Sequence, residues 1–330
     1  MTTIQDVARH AHVGAATVSR VLNGSGYVKE ETREKILQAI KELNYTPNEM
    51  ARNLYHRKSG IVAIIVPEVS HPYFAEFINA AEIALFRYGY QSMICNTWRE
   101  QNYEAHYLEL LKQQRVDGII TGVHTLDIEQ YSSLDRPIVA LDRTLGDKIP
   151  CVAVNHEKGG RLAAEALIQA GCRSVLQCTG LRRVSTPSNV RHEVFEKIMK
   201  EHGIPCHNYL SKWNGFEYAD YDQAAKEIAE KYPDLDGYFA TDIMAVTLIR
   251  ALQAVGRKYP EDFKVVGYDG TFVSKLPYPS LSTIVQPIGQ LAVTCVDVLM
   301  ERIQGKTPEL KNIELDVTFR QGESTKSFNR

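Results

Sequence analysis

From residue 60 onward the chain repeats one pattern, a short apolar run rich in β-branched residues followed by a longer stretch whose apolar positions recur at helical spacing. The pattern predicts strands at 61–66, 91–95, 117–121, 138–141, 151–154, 174–178, 237–240 and 263–267. Helices are expected at 73–88, 100–114, 157–170, 190–202, 219–231 and 243–254. Such alternation builds parallel sheets wrapped by helices. About 270 residues is too many for one sheet of ordinary size, and a second set of strand–helix units begins near Val154-Asn155-His156. Two similar subdomains facing each other across a cleft are therefore expected, although a single α/β barrel shares the alternation.

The first sixty residues read differently. Thr3-Ile4-Gln5-Asp6 places a hydroxyl at a helix cap and a carboxylate three residues on, leading into a short helix through Val7, Ala8 and Ala11. His12-Val13-Gly14 makes a turn, and a second helix runs from Ala15 to Leu22 and ends at Asn23-Gly24. This is helix-turn-helix spacing. Val7, Ala8, Val18, Val21 and Leu22 are expected to pack inward. Ala15, Ala16, Thr17, Ser19 and Arg20 then line the exposed start of the second helix, the part that enters a major groove. Small side chains there allow close approach, alanine and threonine methyls suit thymine methyls, and Arg20 has the forked geometry for guanine O6 and N7. A plain helical hairpin with a solvated arginine has the same spacing. A third helix from about Glu30 to Leu43 puts Ile36, Ile40 and Leu43 on one stripe. Beyond it, Pro47 suits the first turn of a further helix too short and polar to stand alone.

Composition narrows the function classes. With 330 residues, 44% hydrophobic, 24% charged and a formal net charge of −2, the chain has the make-up of an ordinary folded protein. Its strongest apolar run, Ile61 to Val66, is far short of the roughly 18 residues of a membrane span, and the amino terminus lacks the basic and apolar regions of an export signal. A cytoplasmic location is expected. Residues 1–58 carry nine Lys/Arg against six Asp/Glu, a charge of +3, and the remainder carries −5. So small a basic excess binds nucleic acid weakly unless it acts in pairs. The six cysteines are scattered without a C-x-x-C pair, the pattern of reduced structural thiols. No nucleotide-binding glycine motif, P-loop, nucleophile elbow or His-Glu-x-x-His is present, so neither an enzyme nor a cofactor or metal is expected. His71, His124, His156 and His192 stand isolated and read as structural or solvent-facing.

Several motifs combine: Asp6-Val7-Ala8, Thr17-Val18-Ser19-Arg20-Val21-Leu22-Asn23-Gly24, Pro47-Asn48 with Ala51-Arg52-Asn53-Leu54, Asp117-Gly118-Ile119-Ile120, Gly267-Tyr268-Asp269 and Thr283-Ile284-Val285-Gln286. Together, over essentially the whole chain, they resemble the LacI/GalR family of bacterial transcription regulators. Among its members the segments Gly26-Tyr27-Val28, Thr46-Pro47-Asn48-Glu49, Gly267-Tyr268-Asp269-Gly270, Gln286-Pro287-Ile288 and Thr318-Phe319-Arg320-Gln321-Gly322-Glu323-Ser324 look most like sucrose-operon repressors of Gram-positive bacteria. The resemblance implies an α/β protein with a helix-turn-helix DNA-binding domain at 1–46, a hinge helix and linker at 47–58, and a periplasmic-binding-protein-like core at 59–330. That core would hold two doubly wound parallel-sheet subdomains, one of about 59–155 plus 286–316 and the other of about 156–285 plus 317–330. A homodimer is implied, reading a pseudo-palindromic double-stranded operator, with paired hinge helices in the minor groove and Leu54 as the wedge. Thr3, Asn23, Tyr45, Asn48 and Arg52 join the recognition-helix residues as DNA contacts. Two departures stand out: Gly14 where the family commonly has a capping serine, and Lys29 where serine or threonine often caps the third helix.

In doubly wound sheets ligands bind beyond the carboxyl ends of strands, where Ser70-His71-Pro72-Tyr73-Phe74, Asp142-Arg143, Asp242 and Asp269-Gly270 fall. The resemblance assigns Asp142, Arg191 and Asp269 to a small ligand and Tyr73 and Phe74 to an aromatic wall. Asp242 matches a second-subdomain aspartate, with Thr241 replacing a common asparagine, and Gln286 matches a position at ligand or hinge. Trp213 reads equally as a stacking platform or as a core or loop residue. Carboxylates paired with arginine suit sugar hydroxyls, and Arg182 and Arg183 near Arg191 extend the reading to a sugar phosphate. The expected function is a repressor of a sugar-utilisation operon released by a sucrose-type saccharide or sugar phosphate. A global catabolite regulator answering to a phosphocarrier protein is the near alternative; an extracytoplasmic sugar-binding protein is the distant one, because it has no use for residues 1–58.

Overall fold

The computed structural model describes residues 2–46, 58–97, 103–123, 128–180, 186–212, 215–306 and 312–326. The chain forms two compact units, Met1–Ser59 and Gly60–Arg330. No described helix is long and apolar enough to cross a membrane.

The first unit holds three helices, α1 (Ile4–His10), α2 (Ala15–Asn23) and α3 (Glu30–Glu42). A capping box starts α1: the Thr3 hydroxyl accepts the Asp6 N–H, and the Asp6 carboxylate accepts the Thr3 N–H at 2.9 Å. Neither Gly14 nor Lys29, at the starts of α2 and α3, makes a side-chain cap. Gly24 ends α2 with φ +61°, a conformation glycine adopts freely. Val7, Ala8, Val18, Val21, Ile36 and Ala39 close a small core, with Leu22, Ile40 and Leu43 packed at its edge.

The second unit is built on two six-stranded sheets. The first part of the chain supplies β1 (Ile61–Val66), α4 (Pro72–Arg87), β2 (Gln91–Asn96), α5 (Glu104–Lys112), β3 (Gly118–Thr121), α6 (Ile128–Ser132), β4 (Ile138–Leu141) and β5 (Cys151–Val154). Then α7 (His156–Gln169) leads into β6 (Val175–Thr179), α8 (Asn189–Glu201), β7 (Cys206–Leu210), α9 (Tyr218–Lys231), β8 (Gly237–Phe239), α10 (Asp242–Ala254), β9 (Lys264–Asp269) and β10 (Ser282–Val285). The chain returns through α11 (Ile288–Ile303) to β11 (Asn312–Leu315) and finishes with β12 (Thr318–Arg320). The sheet orders are β11-β5-β4-β3-β1-β2 and β12-β10-β9-β8-β6-β7. All pairs are parallel except β12 against β10. Helices cover both faces of a parallel sheet, which is why β1, β4 and β5 are apolar along their whole length, β3 is apolar up to its final Thr121, and all four are almost wholly buried. The two sheets exclude the single-barrel alternative.

Four strands and two α-helices were not among the elements the pattern predicts: β7, β10, β11, β12, the short α6 and α11. The edge strands β7 (Cys-His-Asn-Tyr-Leu) and β11 (Asn-Ile-Glu-Leu) are half exposed and mostly polar, so no apolar run marks them. α11 buries residues around much of its circumference, among them Leu291, Ala292, Cys295, Val296 and Leu299, because it packs between α4 and strands β3 to β5. All six cysteines are free thiols, four of them buried.

Two glycines near the start of α7 set the approach of three elements. A Cβ on Gly160 would stand 2.2 Å from the carbonyl oxygen of Arg191, and one on Gly159 would stand 2.7 Å from the Tyr268 hydroxyl. Helix α7 therefore rests on the backbone of α8 and on the Tyr268 side chain at distances no other residue permits. Gly160→Ala is expected to lower the stability of the core by about 2–3 kcal/mol in urea unfolding, because overpacking against backbone outweighs alanine's helix propensity. Unchanged stability would show that α7 and α8 are not in backbone contact.

Candidate functional site

On the first unit, Ala16 and Arg20 of α2 are exposed, and Thr17 and Ser19 are half-buried beside them. Ala15, expected on the exposed face, is half-buried and packs on the three-helix core instead. The first turn of α2 has neither an acidic residue nor a side-chain cap, so its leading N–H groups and the positive end of the helix dipole suit a phosphate. Asn23 is exposed and its amide donates to Ser19 Oγ at 3.2 Å. The Thr3 hydroxyl is committed to its capping box, where it also donates to Asp6 at 2.7 Å, and Tyr45 packs on the core edge. Asn48, Arg52 and Leu54 lie outside the described residues.

On the second unit, a cavity of about 270 Å³ opens at the carboxyl ends of the strands of both sheets. His71, Tyr73 and Phe74, at the start of α4, and Asp142, after β4, line it from the first sheet. Thr179 at the end of β6, Arg191 and His192 on α8, Phe216, Tyr221, Thr241 and Asp269 line it from the second, and Gln286 borders it at the crossover. Asp142 and Asp269 both adopt positive φ, +55° and +114°. Such backbone strain costs of order 1–3 kcal/mol and clusters at functional sites.

Several polar groups in the wall hold one another. Asp142 Oδ1 lies 2.7 Å from His156 Nε2, and His156 Nδ1 lies 2.8 Å from the Tyr268 hydroxyl. A carboxylate only accepts, so His156 donates to Asp142 through Nε2–H; in that tautomer Nδ1 accepts a hydrogen bond from the Tyr268 hydroxyl. The Arg191 guanidinium stacks over the Tyr268 ring at 4.3 Å. Gln286 donates to Asp269 at 2.9 Å. Burial and the nearby Asp242 charge push the Asp269 carboxyl well above the usual range, against the opposing pull of Arg191. Aromatic rings close the apolar side: Tyr73 and Phe74 meet edge to face at 5.2 Å, and Phe74 meets Phe216 at 6.0 Å.

Asp242 does not join this wall. Its carboxylate, 1% exposed, accepts the Thr271 N–H at 2.7 Å, the Thr271 hydroxyl at 3.0 Å and the Thr283 hydroxyl. It braces the turn that follows Asp269, and a Cβ on Gly267 would lie 2.4 Å from it, which accounts for the glycine of Gly267-Tyr268-Asp269. Of the two expectations for the histidines, structural or solvent-facing, the second is corrected for His71, His156 and His192: all three are buried, and they border the cavity or support its wall. His124, Trp213, Arg182 and Arg183 lie outside the described residues. His156, Phe216, Tyr221 and Thr179 were missed in the sequence. For His156 the signal was its place at the break between the two strand sets; the others converge only through folding.

Comparison with known proteins places this geometry. Residues 3–48 match the family model described as bacterial regulatory proteins, lacI family. Residues 59–322 match periplasmic binding proteins and sugar binding domain of LacI family. The chain is 38% identical to the ribose operon repressor of Halalkalibacterium halodurans, covering 99% of this chain and 98% of that one. It is 36% identical to the sucrose operon repressor of Streptococcus mutans, covering 97% and 98%. Among solved structures, the lac repressor dimer bound to operator and the anti-inducer ONPF superposes with a TM-score of 0.85 at 27% identity, covering 99% of each chain.

Burial raises the Asp242 carboxyl from 3.8 to about 6, more than the threonine hydrogen bonds lower it. A folded-state pKa above the unfolded one means that this contribution to stability is present below about pH 4 and lost as pH rises through about 6. Asp242→Asn removes the titration. Urea unfolding should show the variant gaining on the parent by roughly 2 kcal/mol between pH 4 and pH 7. A difference that stays constant with pH would mean Asp242 is ionised throughout.

Proposed function

The chain belongs to the LacI family of bacterial regulatory proteins, and on that premise we propose that it is a dimeric repressor of a sugar-utilisation operon, released when a small saccharide binds between its two sheets. One observation carries the saccharide: two carboxylates, Asp142 and Asp269, stand on strained backbone at strand ends of opposite sheets, with Arg191 and aromatic rings beside them. Each carboxylate accepts hydroxyl protons, and the rings cover the apolar face of a sugar. Relatives at nearly equal identity are a ribose operon repressor and a sucrose operon repressor, which supports the class and leaves sucrose itself as one member of it.

On the DNA side, two copies present two α2 helices to a pseudo-palindromic operator, doubling a basic end too weakly charged to hold DNA alone. Arg20 reads a base edge and Ala16 and Thr17 pack beside it. Ligand shared by both sheets favours one arrangement of the subdomains, and a differential affinity of ~1–3 kcal/mol is enough to shift operator occupancy.

The direct test is calorimetric titration of the full chain with D-ribose, sucrose and their phosphates, paired with operator release in a gel-mobility assay. Binding that releases operator is expected; a ligand-indifferent operator complex contradicts the proposal. Burial raises the free Asp269 carboxyl and hydroxyls donating to it favour its ionised form, so binding should release protons and tighten as pH rises through its titration, read in two buffers of different ionisation heat across a pH series; proton uptake would exclude Asp269 as the acceptor. Arg20→Ala should cost ~1–3 kcal/mol in operator affinity and relax specificity at one base pair, as measured by binding to single-base operator variants. A uniform loss across all variants would make Arg20 a phosphate contact.

A further inference from the structure

Two polar atoms in the cavity wall have no hydrogen-bond partner among the described residues, His71 Nδ1 and Thr179 Oγ1. Their side chains are 6% and 2% exposed, and both border the cavity. They come from opposite sheets: His71 immediately precedes α4, and Thr179 is the last residue of β6. Buried polar atoms in native proteins are nearly always paired, and an orphan is a standing penalty unless a partner arrives.

The surroundings of these atoms define that partner. The His71 ring sits among Phe74, Phe216 and Tyr221, with centroids 5.6, 5.7 and 6.3 Å away. Burial there lowers its pKa to about 4, so the ring is uncharged at neutral pH. A neutral imidazole nitrogen and a threonine hydroxyl match a ligand hydroxyl, which both donates and accepts; a phosphate dianion asks for donors and counter-charge. Among the described residues, the cations bordering the cavity each have a partner: Arg191 stacks on Tyr268 at 4.3 Å and donates through Nε to His192 at 3.3 Å, and Lys212 pairs with Asp220 at 3.1 Å. Asp142 and Asp269 add acceptors, not positive charge.

We propose that His71 and Thr179 are hydroxyl-reading residues of this site, and that the ligand they read is an unphosphorylated sugar that spans the two sheets. The inference rests on the sugar-regulator reading and narrows it, because it selects the free saccharide over its phosphate.

The test uses the full chain and the variants Thr179→Val, Thr179→Ser and His71→Phe. Each is titrated with D-ribose, D-fructose, sucrose, ribose 5-phosphate and fructose 6-phosphate, and each is melted without ligand. An uncharged sugar should bind the parent more tightly than its phosphate does. Its affinity should fall roughly tenfold in Thr179→Val and in His71→Phe, and should be kept in Thr179→Ser. Because Thr179 Oγ1 and His71 Nδ1 have no partner among the described residues, the melting temperature of both weakened variants should hold or rise, which a structural role would not allow. Tighter binding of a phosphate, variants that bind like the parent, or a lowered ligand-free melting temperature would each overturn the inference. If phosphates bind and release operator while free sugars do not, only this inference fails. If none of the five binds or releases operator, the sugar-regulator reading fails and takes this inference with it.

Discussion

A row of three polar groups, the half-buried Asp142 carboxylate and the buried His156 imidazole and Tyr268 phenol, ties the ends of the two sheets together. Asp142 follows β4 of the first sheet, Tyr268 lies on β9 of the second, and His156 opens the helix between the two strand sets. Each member satisfies its neighbour, so none carries the penalty of an unmet polar group. The rest of the cavity wall follows from that row. Tyr268 supports the Arg191 guanidinium, and the paired glycines 159 and 160 let α7 come close enough to deliver His156. The Asp142 backbone sits at φ +55°, in the left-handed region, and the row of hydrogen bonds helps hold its side chain there.

The same arrangement explains how a ligand acts across the core. Groups offered by a single sheet would bind a small molecule without favouring any arrangement of the two. Here the first sheet contributes Asp142 and the aromatic pair at the start of α4, and the second contributes Asp269, Arg191 and Phe216. A molecule that satisfies both sets gains its full affinity in one arrangement, and that differential is what a two-state regulator exploits. The raised pKa of Asp269 belongs to this design: the carboxyl is kept out of water beside another carboxyl, and ligand donors relieve the cost.

Much of this was legible in the sequence, and the part that was not has physical causes. Central strands covered on both faces announce themselves as unbroken apolar runs, and β1, β3, β4 and β5 were placed within a residue. Edge strands β7 and β11 have one neighbour and partial cover, so their composition is that of a loop. In the cavity, the rule that ligands meet the carboxyl ends of strands found Asp142 and Asp269, and the same rule pointed to Asp242, whose carboxylate is instead turned into the threonine brace behind the wall. Position after a strand identifies a neighbourhood; it does not fix the direction of a side chain. His156, Phe216 and Tyr221 come from separate helices and loops and meet only in three dimensions. Isolated histidines in a sequence carry no sign of that convergence.

The central claim is that one saccharide is held jointly by carboxylates from the two sheets. Crystals of the full chain grown with the sugar that releases operator test it most directly. The account predicts the sugar in the cavity, with hydroxyls within hydrogen-bond distance of both Asp142 and Asp269. A sugar bound to one sheet alone, or at another surface, would contradict it.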